Sequence, residues 1–213
     1  MTRILIIGGH GKIALLLAPL LIARGDEVTS LIRNPAHRDD VAATGAVPLV
    51  ADIEQRATPD LAALFAGQDA IVWSAGAGGG SPERTYAVDR DAAIRAIDAA
   101  SSAGVPRFVM VSYFGAGLEH GVPHDNSFFA YAEAKAAADA HLQASSLAWT
   151  ILAPSTLTDD AGTGAIETGD GVTGSSVSRT DVAYVAAAVL ADDGTVGRVI
   201  PFNGGSTPIK DAV

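Results

Sequence analysis

Apolar residues in this chain fall in short runs separated by stretches with helical spacing, and the two kinds of segment alternate from the first residues onward. Ile4–Ile7 is uninterrupted by polar residues, which suits a strand buried on both faces. Lys12–Arg24 then predicts a helix with Leu15, Leu16, Pro19, Leu20 and Ala23 supplying most of its buried face, ended by Gly25. Strands follow at Val28–Ile32, Val47–Ala51, Ala70–Ser74, Arg107–Ser112, Thr150–Ala153 and Val199–Phe202. Between them lie helical patterns at Pro35–Thr44, Asp60–Ala66, Pro82–Ala103, Phe128–Ser145 and Val182–Ala191. In the long Pro82–Ala103 helix, Ala93, Ile94, Ile97 and Ala100 recur at helical intervals.

Strands that alternate with helices need crossover connections, and crossovers build parallel sheets covered on both faces. The expected fold is therefore α/β: a Rossmann-type doubly wound parallel sheet in three α/β/α layers, with residues 1–213 forming a single domain. Two stretches interrupt the alternation. Gly76–Ser81 reads as a flexible loop. Ser155–Ser178, rich in Gly, Ser, Thr and Asp, reads as a small C-terminal lid with a hairpin or flap around Gly169-Asp170-Gly171. Ser178-Arg179-Thr180-Asp181 has the form of a capping box, its hydroxyl and carboxylate satisfying amides at the start of the following helix.

Composition narrows the chemistry. With 24 acidic and 14 basic residues the chain carries a formal charge of -10, which repels nucleic-acid phosphates and anionic lipid. Neither nucleic acid nor membrane is an expected partner, and an anionic ligand has to be held by locally arranged donors. The absence of cysteine rules out disulfides and thiolate metal sites. The apolar run at the N-terminus is too short, and too soon broken by Gly8-Gly9-His10-Gly11, for a signal peptide or a membrane span, so a cytoplasmic location is expected. His120 and His124, near Asp125, lack a third ligand at useful spacing, so no metal is expected.

The segment Gly8-Gly9-His10-Gly11-Lys12-Ile13-Ala14 follows the first strand and opens the first helix. Gly9, Gly11 and Ala14 satisfy G-x-G-x-x-A, and Gly8, Gly11 and Ala14 satisfy the looser G-x-x-G-x-x-A. Either spacing lets backbone amides approach a pyrophosphate at the positive end of a helix. Gly8, Gly9, His10, Gly11, Lys12 and Ile13 are thus candidate contacts to a nicotinamide dinucleotide. Arg33, just past the second strand, favours the extra phosphate of NADP, with NAD possible; Lys12, His37 and Arg38 either add positive charge there or are solvated surface bases. Asp52 and Ile53, closing the third strand, are candidates for the adenine side, Asp52 alternatively being a turn residue. Ser74, Ala75 and Gly76, at the end of the fourth strand, are small enough to let a cofactor approach.

Tyr131 and Lys135 lie on one face of a helix, where the ammonium is expected to favour the phenolate and lower the tyrosine pKa. Ser112, ending the fifth strand, is placed to hydrogen-bond the same substrate oxygen. Tyr113, Phe114, Phe128 and Phe129 are candidates both for the wall of a substrate pocket and for the core, and Trp73 and Trp149 fall in strand-like runs that suit the core.

These segments together resemble the short-chain dehydrogenase/reductase superfamily, and within it the atypical NAD(P)-binding branch of NmrA-like and biliverdin-reductase-B-like proteins. The resemblance spans nearly the whole chain: the glycine-rich turn, Leu31-Ile32-Arg33-Asn34-Pro35, Ala103–Ser112, Tyr131 with Lys135, and Ser178–Ala183. It implies that Ser112, Tyr131 and Lys135 are the catalytic serine, tyrosine and lysine, with Lys135 also binding the nicotinamide ribose. Ala153 stands where an arginine often precedes the proline in that branch, and no asparagine is placed for the superfamily's supporting role. The expected function is an NAD(P)H-dependent oxidoreductase acting on a small carbonyl, quinone or flavin-like acceptor, as a monomer or as a homodimer formed through the exposed faces of the Pro82–Ala103 and Phe128–Ser145 helices. The alternatives are a redox-sensing NADP-binding protein without turnover and a sugar-nucleotide epimerase or dehydratase, which normally carries a larger C-terminal substrate portion.

Overall fold

The computed structural model describes residues 1–78, 81–169 and 171–213. Its first half runs β1 (Arg3–Ile7), α1 (Lys12–Ala23), β2 (Glu27–Ile32), α2 (Arg38–Ala43), β3 (Val47–Val50), α3 (Thr58–Phe65) and β4 (Ala70–Trp73). Then come α4 (Pro82–Thr85), a π-helical segment Tyr86–Ala92, α5 (Ala93–Ala103), β5 (Arg107–Val111), α6 (Phe129–Gln143) and β6 (Ala148–Pro154). The last third holds β7 (Thr156–Thr158), β8 (Ala165–Thr168), β9 (Ser176–Ser178), α7 (Arg179–Val189), β10 (Arg198–Gly204), β11 (Thr207–Pro208) and α8 (Ile209–Ala212).

Among the described residues the main sheet has nine strands in the order β11-β8-β10-β6-β5-β4-β1-β2-β3. From β3 to β10 all neighbours are parallel, while β8 runs antiparallel to both β10 and β11. Successive residues of β1 point to opposite faces, yet all are buried: Ile4 and Ile6 pack beneath α1 and α7, Leu5 and Ile7 beneath α3, α5 and α6. That is the three-layer α/β/α Rossmann arrangement. The strand order reverses between β1 and β4, and the crevice beyond their carboxyl ends is where such sheets bind ligands. Among the described residues no helix is long and apolar enough to cross a membrane.

Three local expectations are corrected. The buried face of α1 is Ile13, Ala14, Leu17, Ala18 and Leu21; Leu15 and Leu20 are only partly buried, and Leu16, Pro19 and Ala23 are exposed. The helix is apolar nearly all round, so periodicity does not set its phase, and on the solvent side water can serve the carbonyl that lacks the N–H of Pro19. The long helix is not regular, because a π-helical turn at Tyr86–Ala92 joins α4 to α5 and swings Asp89 into the interior.

Ser155–Ser178 is bound into sheets. β7 pairs in parallel with β9, and Ile166 of β8 is buried in the core. Asp170, in the expected hairpin, lies outside the described residues, as do Gly79 and Gly80 of the Gly76–Ser81 loop. The cap of α7 is formed only by its serine half, Ser178 Oγ accepting from the Asp181 amide at 2.9 Å. The buried Asp181 carboxylate instead accepts from the amides of Thr163 and Gly164 and from the Ser178 hydroxyl, pinning the β7–β8 connection to the helix.

Removing that carboxylate takes the acceptor from the partly buried amides of Thr163 and Gly164. Asp181→Ala is expected to lower the unfolding free energy by about 2 kcal/mol and Ser178→Ala by about 1 kcal/mol, the double variant losing less than the sum because the two side chains bond each other. Urea denaturation of the three variants measures this.

Candidate functional site

β1 ends in a turn that only glycine accommodates. Gly8 has φ +85°, and a Cβ there would lie 2.6 Å from the Ala75 backbone; one on Gly9 would lie 2.5 Å from Ser30 Cβ. The amides of Gly8 and Gly9 both donate to Leu31 O, at 3.2 and 2.9 Å, which folds the turn back over β2. Gly11 caps α1 without a side-chain hydrogen bond, and the first turn carries no acidic residue. The opening amides of α1 therefore keep the positive end of the helix available to an anion.

A cleft of about 460 Å3 lies against this turn. Gly8, His10, Gly11, Arg33, Asp52 and Ile53 line one side of it, and Ser74, Ala75 and Gly76 the other. Gly9 and Lys12 do not line it: Gly9 is packed on Ser30, and Lys12 Nζ pairs with Asp159, which also holds Arg179 at 2.7 Å. Of the other expected bases His37 lines the cleft and Arg38 does not. The His37 ring stacks on His10 with centroids 3.6 Å apart, and His10 Nε2 meets Asp40 at 2.9 Å. Asp52 makes an Asx turn by accepting from the Glu54 amide. Glu54, which the sequence reading missed, holds Arg33 at 2.7 Å and Arg84 at 3.4 Å.

A second cleft of about 590 Å3 shares the wall Ser74–Gly78 with the first and is floored by Ile13, Asp89, Ser112, Tyr131 and Lys135. A third, of about 630 Å3, continues from it past Ser112, Phe128, Tyr131 and Leu157 to Tyr113, Phe114 and Arg179. Tyr113, Phe128 and Tyr131 form one aromatic cluster with centroids 5.2 to 5.6 Å apart. Phe129 turns away and packs on His124 and His120, while Trp73 is buried in the core and Trp149 packs against it. Among the described residues no three His, Cys, Asp or Glu side chains gather to hold a metal.

Ser112, Tyr131 and Lys135 are thus brought to one pocket, but their electrostatics differ from the expectation. Tyr131 is pushed up, not down, from the ordinary phenol range, by burial first and then by the carboxylates of Asp89 and Asp139 and by Tyr113. Lys135, whose Nζ donates to Val111 O at 2.7 Å beside Met110 Sδ, does not reverse this. Burial pushes the Lys135 ammonium down, opposed by Asp139 and Asp89. Burial pushes both carboxyls up: Lys135 and the Ser112 hydroxyl oppose the shift of Asp139, and Lys135, the Ala77 amide and Arg84 that of Asp89. Ser112 Oγ hydrogen-bonds Asp139 Oδ2. Asp139 follows Lys135 by one helical turn, a spacing visible in the sequence; nothing there announces Asp89, whose orientation depends on the π-helical turn.

The residues present fit a nicotinamide dinucleotide. A turn cleared of Cβ atoms meets an uncapped helix N-terminus, and one continuous trough leads from Arg33 to Tyr131. Comparison with known proteins agrees. Residues 8–193 match the family described as NAD(P)H-binding. A Bacillus subtilis protein named "Uncharacterized sugar epimerase YhfK" is 34% identical, covering 99% of this chain and 98% of its own. A structure from Bacillus halodurans, provisionally named an NAD-dependent epimerase/dehydratase, is 31% identical with a TM-score of 0.91, over 99% of this chain and 97% of that one. The oxidoreductase YlbE from Lactococcus lactis is 27% identical with a TM-score of 0.88, over 99% and 94%. A glycine-rich turn at the reversal point of a Rossmann sheet, matched across most of the chain's length, makes this protein a member of the NAD(P)H-binding family.

Proposed function

We propose that this protein is an NAD(P)H-dependent oxidoreductase that reduces a small carbonyl, quinone or flavin-like acceptor. The observation that carries the reading is the shared wall Ser74–Gly78, through which the dinucleotide cleft opens directly onto Ser112, Tyr131 and Lys135. When bound, the cofactor supplies hydride chemistry at that junction. Ser112 and Tyr131 present hydroxyls to the acceptor's oxygen; Tyr131, held as the phenol by its surroundings, enters as a hydrogen-bond donor. Lys135, anchored on Val111 O, faces the ribose end of the trough. Tyr113, Phe114 and Phe128 wall the outer pocket and suit a flat, apolar acceptor.

The names of two relatives favour a second reading, an epimerase, and one of those names specifies a sugar. The aromatic side chains of Tyr113, Phe114, Phe128 and Tyr131 in the outer cleft support the first, since they suit a flat acceptor. For the cofactor we favour NADP: Arg33 commits one guanidinium nitrogen to Glu54 and keeps its other donors for a 2′-phosphate, with His37 on the same side of the cleft.

Purified protein mixed with NADPH and a panel of quinones, aldehydes and flavins is expected to oxidise the cofactor. Tyr131→Phe is expected to lower kcat/KM about 100-fold while calorimetry shows unchanged NADPH affinity. Binding without oxidation, or an undiminished rate in the variant, overturns the catalytic reading. Arg33→Ala is expected to weaken NADPH binding about tenfold, roughly 1.4 kcal/mol, and to leave NADH binding nearly unchanged. Equal losses for the two cofactors overturn the NADP preference.

A further inference from the structure

We propose that Asp139 is a positioning residue that supplies protons to Ser112, so that the proton delivered to the acceptor's oxygen travels from the Asp139 carboxyl through the Ser112 hydroxyl. The proposal rests on the oxidoreductase reading above.

Geometry comes first. Asp139 is 4% exposed and Ser112 5%, and Asp139 Oδ2 and Ser112 Oγ share a hydrogen bond. The other carboxylate oxygen, Oδ1, is buried with no partner among the described residues. Ser112 lines both the second and third clefts, so its hydroxyl joins a closed interior to the space where an acceptor sits. Asp139 lines neither cleft, and its hydrogen bond to Ser112 links it to that space.

Charge counting identifies which carboxyl holds a proton. Lys135, 1% exposed, is a single ammonium interacting with two buried carboxyls, Asp89 and Asp139. One negative charge is matched and the second is left in a low-dielectric interior, where a carboxyl takes up a proton instead. Asp89 accepts from the Ala77 amide at 2.9 Å and feels Arg84, both of which favour its charged form. Asp139 shares Lys135 with Asp89 but otherwise has the Ser112 hydroxyl, which can donate or accept, and, among the described residues, an unpartnered oxygen. Asp139 is therefore the protonated member. Its neighbours are Lys135 and Tyr131 on α6, Ser112 and Tyr113 beyond β5, and Asp89 on the far side of Lys135. Tyr113 and Tyr131 are both pushed above the ordinary phenol range, so neither changes charge where the carboxyls titrate.

A protonated Asp139 donates to Ser112 Oγ and thereby turns the serine O–H toward the pocket. With hydride supplied to the acceptor's carbonyl carbon by a bound cofactor, the carbonyl oxygen would take the Ser112 proton and Ser112 the Asp139 proton. The carbonyl would become an alcohol and the cofactor its oxidised form, leaving Asp139 as a carboxylate beside Lys135 until a proton from water in the cleft returns to it through Ser112. Since the acid form is required, activity falls as pH rises through the Asp139 pKa.

Two measurements test this. In the cofactor-free protein with 13C-labelled aspartate, the carboxyl resonance lost in Asp139→Asn is expected to titrate well above the ordinary aspartate range. A resonance that stays that of a carboxylate down through that range overturns the proposal. In kinetics, Asp139→Asn is expected to lower kcat about 100-fold, keep KM within about twofold and abolish the alkaline fall of the profile, with Asp139→Glu restoring part of the rate. If Asp139→Asn does not fold, Ser112→Ala has to show the same loss of rate and of the alkaline limb, and an unchanged profile there overturns the relay. Turnover retained in Asp139→Asn overturns the relay alone, whereas a wild-type chain that oxidises no NAD(P)H with any acceptor overturns the oxidoreductase reading and the relay with it.

Discussion

Everything at the cofactor end depends on how closely two backbone segments meet beyond β1 and β4. Gly8 lies against the main chain of Ala75 with no room for a single carbon on its α position, and that contact fixes where the first turn of α1 points relative to the small residues that follow β4. A side chain at either Gly8 or Gly9 would lift the turn off its neighbours and displace the helix amides from the trough. The affinity for an anion in a chain of net charge -10 rests on this local arrangement and on a few arginines rather than on the overall field.

The second half of the site follows a different rule. Around Lys135 the interior holds more ionisable groups than it can keep charged, and packing rather than solvent decides their protonation. Here the tyrosine–lysine spacing proved a poor guide to the protonation of the tyrosine. It places both side chains on the wall of one pocket, yet the ammonium is committed to Val111 O and to carboxyls that the tyrosine also feels.

Much of the architecture was legible in the chain. Strands buried on both faces appear as unbroken apolar runs, and the turn from Gly8 to Ala14 marks its own place in the fold. What escaped depended on tertiary context. The rotation of α1 was hidden because leucines surround the helix, and β8 because a strand as short as Ala-Ile-Glu-Thr has no readable period. Asp139 was within reach, one turn beyond Lys135, but an acidic residue on an alanine-rich helix ordinarily faces water. The pairing of Glu54 with Arg33 and Arg84 joins segments far apart in the chain and leaves no local trace.

The order of the strands also settles how the sheet ends. Its outermost members are β3, Val47-Pro48-Leu49-Val50, and β11, Thr207-Pro208, both brief and both interrupted by a ring that has no N–H to offer. A tenth strand from another molecule would find a broken row of donors on either flank. The β architecture is thus self-terminating, and its width is set from within the chain.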